Sequence, residues 1–138
     1  MDAEDADAVK ANWDEIKAAE KGDLRTGSAL EGTPASLGSL ARAAELQRRA
    51  AKTGFDWSSS HPVFAKVAEE LAELQEAAAN EGSDAIRDEL GDLLFAVVNL
   101  ARHLGVETEL ALRAANHRFE TRFRLMETEG PLTGLTLD

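Results

Sequence analysis

The stretch from Ile86 to Ala101 constrains the fold of this chain more than any other. It is amphipathic at first, through Ile86 and Leu90, and then almost continuously apolar through Leu93, Leu94, Phe95, Val97, Val98, Leu100 and Ala101. A helix that is apolar on most sides is buried on most sides. In a chain of 138 residues, such a helix belongs at the centre of the domain or at a subunit interface. The same stretch nevertheless carries Glu89 and Asp92, three residues apart and therefore on one helical face. Followed along the helix, that face reaches Asn99 and then His103, so one side of an apolar helix is polar throughout. A buried polar stripe requires partners.

Glycine and proline divide the rest of the chain. Val9, Trp13 and Ile16 recur at helical spacing and predict a helix from about Ala6 to Glu20, followed by a loop rich in Gly, Ser and Thr over residues 22–34. From Ser36, a stripe of Leu37, Leu40, Ala44, Leu46 and Ala50 predicts a second helix that stops at Thr53-Gly54, and Phe55-Asp56-Trp57 follows as a turn. Ser60 and Pro62 open a third helix, with an expected core stripe of Phe64, Val67, Leu71, Leu74 and Ala78, and Asn80-Glu81-Gly82 closes it. Ser83 is the expected cap of the apolar helix, which Gly105 ends. A last helix is expected from Glu107 to about Glu127, carrying Leu110, Leu112, Ala115, Phe119, Phe123 and Met126. No stretch alternates as a strand does. The expected fold is all-α, a helical bundle, with an N-terminal helix and loop over 1–35, a main helical domain over 36–130 and an irregular tail over 131–138.

Composition narrows the function. With 26 acids against 15 Lys and Arg the formal charge is −11, which argues against nonspecific binding to nucleic acid or to an anionic membrane. With no cysteine there is no disulfide framework, thiolate zinc site or cysteine nucleophile. No run approaches the ~18 apolar residues of a membrane span, and the first residues are acidic rather than basic. The expectation is a soluble, cytoplasmic protein.

Upstream of Glu89 and Asp92 lies a second acidic group, Glu69-Glu70-x-x-Glu73. If the two helices lie side by side, Glu70, Glu73, Glu89 and Asp92 converge, and an all-oxygen cage of like charges is tolerable only around a hard cation. The implied ion is Mg²⁺, with Mn²⁺ as a substitute. The alternative is that Glu69, Glu70, Glu73 and Glu76 form a solvated helix face. Arg118 and Arg122, four residues apart in the last helix with Asn116 and His117 beside them, form a local cationic patch in an acidic protein. Metal plus guanidinium is what polyphosphate recognition requires, whereas surface pairing with Glu120 is the alternative for the two arginines. Trp57 either caps the core or stacks on a base. His61, His103 and His117 are expected in structural roles. A di-iron carboxylate bundle needs Glu-x-x-His pairs, and the residues three before the histidines are Ser58, Leu100 and Ala114.

Glu69-Glu70-x-x-Glu73 followed by Glu89-Leu-Gly-Asp92 resembles the EExxE…ExxD signature of the MazG family of nucleoside triphosphate pyrophosphohydrolases. Lys52-x-Gly-Phe-Asp-Trp57, Glu89 to Ala96, Asn99 to Leu104 and Ala115 to Phe123 extend the resemblance over roughly residues 36 to 130, in the manner of the C-terminal catalytic half of two-domain members. The resemblance implies an all-α bundle that dimerises and, with Mg²⁺ on Glu70, Glu73, Glu89 and Asp92, hydrolyses nucleoside triphosphates to monophosphate and pyrophosphate, in nucleotide-pool housecleaning. Glu73 or Glu69 is then the proton acceptor, and Arg118, Arg122, Asn116, Asn99 and Trp57 are the substrate-side residues. Trp13 resembles the segment that precedes the catalytic region. The first catalytic half of such members has no counterpart here, and relatives usually continue past Leu135-Thr-Leu-Asp138 into another helix. A nucleotide-binding or regulatory helical module without turnover is the non-enzymatic alternative.

Overall fold

Among the described residues four complete helices build the fold: α1 (Ser39–Ala51), α2 (Ser60–Asn80), α3 (Ser83–His103) and α4 (Thr108–Glu127). The computed structural model describes residues 10, 27–80, 82–134 and 137. The helix expected over residues 6–20, with Trp13, lies outside the described residues apart from helical Lys10. No strand occurs among the described residues, so the chain is all-α as its periodicity requires. No helix among them is long and apolar enough to cross a membrane.

The helix ends follow from local chemistry. Past α1 the chain reverses through Gly54 at φ 91°, where a side chain would be strained, and the N–H of Phe55 closes back on the Ala50 carbonyl. Gly105, at φ 70°, does the same after α3, and the Val106 N–H returns to the Ala101 carbonyl. Ser83 does not cap α3: the N-cap is Gly82, with no side-chain hydrogen bond, and Ser83 is the first helical residue.

The helices α2 and α3 form an antiparallel hairpin and the main packing of the chain; α1 lies on α3, and α4 touches α1 and α3 sparingly. The seam of α2 is Val63, Glu70 and Ala77, spaced by seven and all buried. This corrects the expected stripe by one position. Val67 and Leu74 are half-buried beside the seam, whereas Phe64 is 51% exposed and Leu71 46%. The apolar face of α2 is wider than one partner helix can cover. Likewise only Ala96 and Val98 of α3 are buried in the single chain, leaving Leu94, Phe95 and Val97 exposed, and α4 buries nothing. Phe119 and Phe123 stack on each other, centroids 5.8 Å apart, on the open side of α4.

Candidate functional site

The seam between α2 and α3 is not wholly apolar. Glu70 lies on the buried line of α2, and α3 lies against that line with Glu89. Carboxylate oxygens of Glu70, Glu73 and Glu89 all lie within 4.8 Å of one another. Glu70 is 6% exposed, which excludes the solvated-face reading for that residue. One oxygen of Glu70 and one of Glu89, Oε2 in each, are buried with no hydrogen-bond partner. Orphaned oxygens on two members of one carboxylate cluster make a donor set incomplete without a cation, and hard oxygens suit Mg²⁺ or Mn²⁺. Desolvation, reinforced by the negative charges of Glu70, Glu89 and Glu69, raises the proton affinity of Glu73 above the usual carboxylate range.

Lys66, one turn earlier on α2, is the cation at this cluster. Its Nζ lies 2.9 Å from Glu70 Oε1 and 3.4 Å from Glu69 Oε2. Burial works against the ammonium, but the bonds and charges of Glu70 and Glu69 outweigh it and raise its pKa. The sequence reading missed Lys66, although its spacing of three and four from the two acids was the available signal.

The remaining expected residues do not join the cluster. Asp92, one turn beyond Glu89, is exposed and outside the three-carboxylate group. Glu69 is exposed and faces Lys66. Asn116, Arg118 and Arg122 are exposed on α4, which makes no contact with α2 among the described residues, so the arginines do not face the acids within one chain. The reason is the Leu104–Val106 turn, after which α4 departs from the hairpin instead of folding back along it. Glu120 bonds Arg124 rather than Arg118. His61 and His117 are exposed.

Asn99 and the Phe-Asp-Trp turn meet in a network of their own. Asp56 accepts from Arg102 through both oxygens, Nη1 to Oδ2 at 3.1 Å and Nη2 to Oδ1 at 2.5 Å, and His103 Nε2 lies 2.9 Å from Oδ1. Asn99 Oδ1 accepts from Arg102 Nε and Nη2 at 3.1 and 2.8 Å, and the Trp57 N–H donates to Asp56 Oδ1. Trp57 is half-buried there. Burial opposes ionisation of Asp56, but the bonds from Arg102 and His103 prevail and hold its carboxyl below the usual range. This network pins the loop after α1 to the end of α3. His103 therefore has a structural partner, as expected, and Asp56 is the residue sequence reasoning passed over. Gln47, 7% exposed, is a second: its Nε2 donates to the Phe95 carbonyl at 2.9 Å, while Oε1 is buried without a partner. A shallow recess between α1 and the first turn of α4, lined by Leu40, Ala44 and Thr108, contains none of the acids of the cluster.

Comparison with known proteins fits this geometry. Residues 58–124 match the family described as the MazG nucleotide pyrophosphohydrolase domain, a span holding α2, α3 and most of α4. The chain is 44% identical over 137 residues to the nucleoside triphosphate pyrophosphohydrolase of Escherichia coli (strain K12), covering 98% of this chain and 52% of that protein. It is 40% identical over 126 residues to the nucleoside triphosphate pyrophosphohydrolase/pyrophosphatase MazG of Thermotoga maritima, covering 91% and 48%. With the uncharacterized protein YabN of Bacillus subtilis it shares 39% identity over 135 residues, covering 97% and 27%. The chain thus spans about half the length of the first two relatives and less of the third. Glu70, Glu73 and Glu89 all fall inside the matched span, and through that span the chain belongs to the MazG family.

Proposed function

We propose that the chain hydrolyses nucleoside triphosphates between the α and β phosphates, releasing the monophosphate and pyrophosphate, with Mg²⁺ as the resident ion and the nucleotide pool of the cytoplasm as its setting. The observation that carries the proposal is the convergence of Glu70, Glu73 and Glu89 with two buried, unpartnered oxygens. The names of the Escherichia coli and Thermotoga maritima relatives support the same reaction. In this reading Glu70, Glu73 and Glu89 hold the ion, and Asp92, one turn along α3, completes the set. When bound, such an ion neutralises phosphate charge and acidifies water. Glu73, which stands in the carboxylate cluster while Glu69 is exposed and paired with Lys66, accepts the proton of the attacking water. Arg118 and Arg122 bind the charge that grows on the leaving pyrophosphate, Asn116 and Asn99 donate to the substrate, and Trp57 offers an aromatic face to the base.

The arginines reach the acids only if something closes α4 over the hairpin. The exposed apolar residues of the three helices, Phe64 and Leu71 on α2, Leu94 and Val97 on α3, and Phe119 and Phe123 on α4, support a homodimer as the working form. The test is incubation with mixed nucleoside triphosphates and Mg²⁺. Pyrophosphate is the expected product, lost in Glu70→Gln with helicity retained. Release of single phosphate contradicts the proposed bond, and nucleotide binding without turnover favours the non-enzymatic module.

A further inference from the structure

Three carboxylates within 4.8 Å of one another, two with a buried oxygen lacking any partner, form a charge cluster that opposes folding when no cation is present. Among the described residues, Lys66 is the one cation that forms an ion pair with Glu69, Glu70, Glu73 or Glu89. We propose that Lys66 is a resident counter-ion: its ammonium holds Glu70 in the ion-free protein and competes with the divalent ion for that carboxylate. This rests on the metal site of the proposed function and adds a residue to it.

The geometry is specific. Lys66 engages Glu70 through Oε1 and leaves Oε2 orphaned in the interior, so the ammonium satisfies half of the buried group from the open side. The side chain of Lys66 is 40% exposed while that of Glu70 is 8%, so the lysine reaches in from the rim rather than forming part of the packed seam. An ammonium on a flexible four-carbon stem can leave such a contact for water, which the fixed fork of an arginine does less readily. A divalent ion seated among the three carboxylates repels the ammonium at this range, so the two occupants exclude each other from Glu70. Lys66 thereby stabilises the fold without the ion and weakens ion affinity.

The test is Mg²⁺ titration of the full chain without nucleotide, by calorimetry and by thermal melting, comparing wild type with Lys66→Met and Lys66→Gln. Both variants are expected to bind Mg²⁺ more tightly, on the order of tenfold for removal of one adjacent positive charge. They are also expected to melt lower in chelator and to gain more from saturating Mg²⁺. A Lys66→Arg variant, keeping the counter-charge, should stay within about threefold of wild type. Unchanged or weaker binding in Lys66→Met and Lys66→Gln, with wild type binding normally, overturns the proposal while sparing the metal site. Absence of Mg²⁺ binding in wild type and variants alike overturns the site itself and this proposal with it.

Discussion

Neutralising Glu89 tests the cluster before any assay of catalysis. Glu89 is half-buried on α3, its Oε2 has no partner, and it faces two carboxylates within 4.8 Å. At that separation two unit charges repel by ~0.9 kcal/mol in a water-like medium and by ~3.5 kcal/mol at an effective dielectric of 20. Unlike Glu70, which gives up the Lys66 pair when neutralised, Glu89 has no ion pair among the described residues to lose. Even at the water-like limit, two neighbours make the relief about 2 kcal/mol. Glu89→Gln is therefore expected to raise the melting temperature in chelator by about 5 °C. The same change removes an ion ligand, so the further rise on adding saturating Mg²⁺, which follows ion occupancy, should shrink. Differential scanning calorimetry in chelator and in Mg²⁺ reads both effects. A variant that melts at or below wild type in chelator refutes the argument, because it means that the three carboxylates are not held against one another.

Further expectations concern the parts that frame the site. Asp56→Asn should cost about 2 kcal/mol at neutral pH, the scale of a charge-assisted, partly buried contact, as measured by urea unfolding. Because the folded-state pKa of Asp56 is depressed, its stabilisation is present above the unfolded carboxylate pKa and lost as pH falls through the folded value; the acid limb of the stability profile should flatten in Asp56→Asn. Gln47→Met, which removes a buried orphan oxygen with its donor, should change stability by less than about 1 kcal/mol, whereas Gln47→Glu, placing a carboxylate against the Phe95 carbonyl, should cost several times that in the same unfolding measurement. For the proposed homodimer, Leu94→Glu on the exposed apolar face of α3 should shift the equilibrium towards monomer in sedimentation equilibrium, with helix content retained by circular dichroism.

Much of this protein is determined by order along the chain. Helical period, glycine stops at Gly54 and Gly105, and the absence of strand alternation define α1 to α4 within a few residues, because these are local properties of backbone and side chain. Acids at i, i+3 within apolar segments also mark Glu70, Glu73 and Glu89, since a helix fixes which residues share a face. What lies across a seam is not local. Which α2 residues are buried was settled by the placement of α3, which took Val63, Glu70 and Ala77 rather than Phe64 and Leu71. Asp56 under Arg102 and His103, and Gln47 on the Phe95 carbonyl, are pairings between elements that helical periodicity does not single out. Asp92 and the arginines of α4 show the opposite case: type and spacing mark them, yet within one chain Asp92 is exposed outside the three-carboxylate group and α4 makes no contact with α2 among the described residues, which only tertiary packing decides.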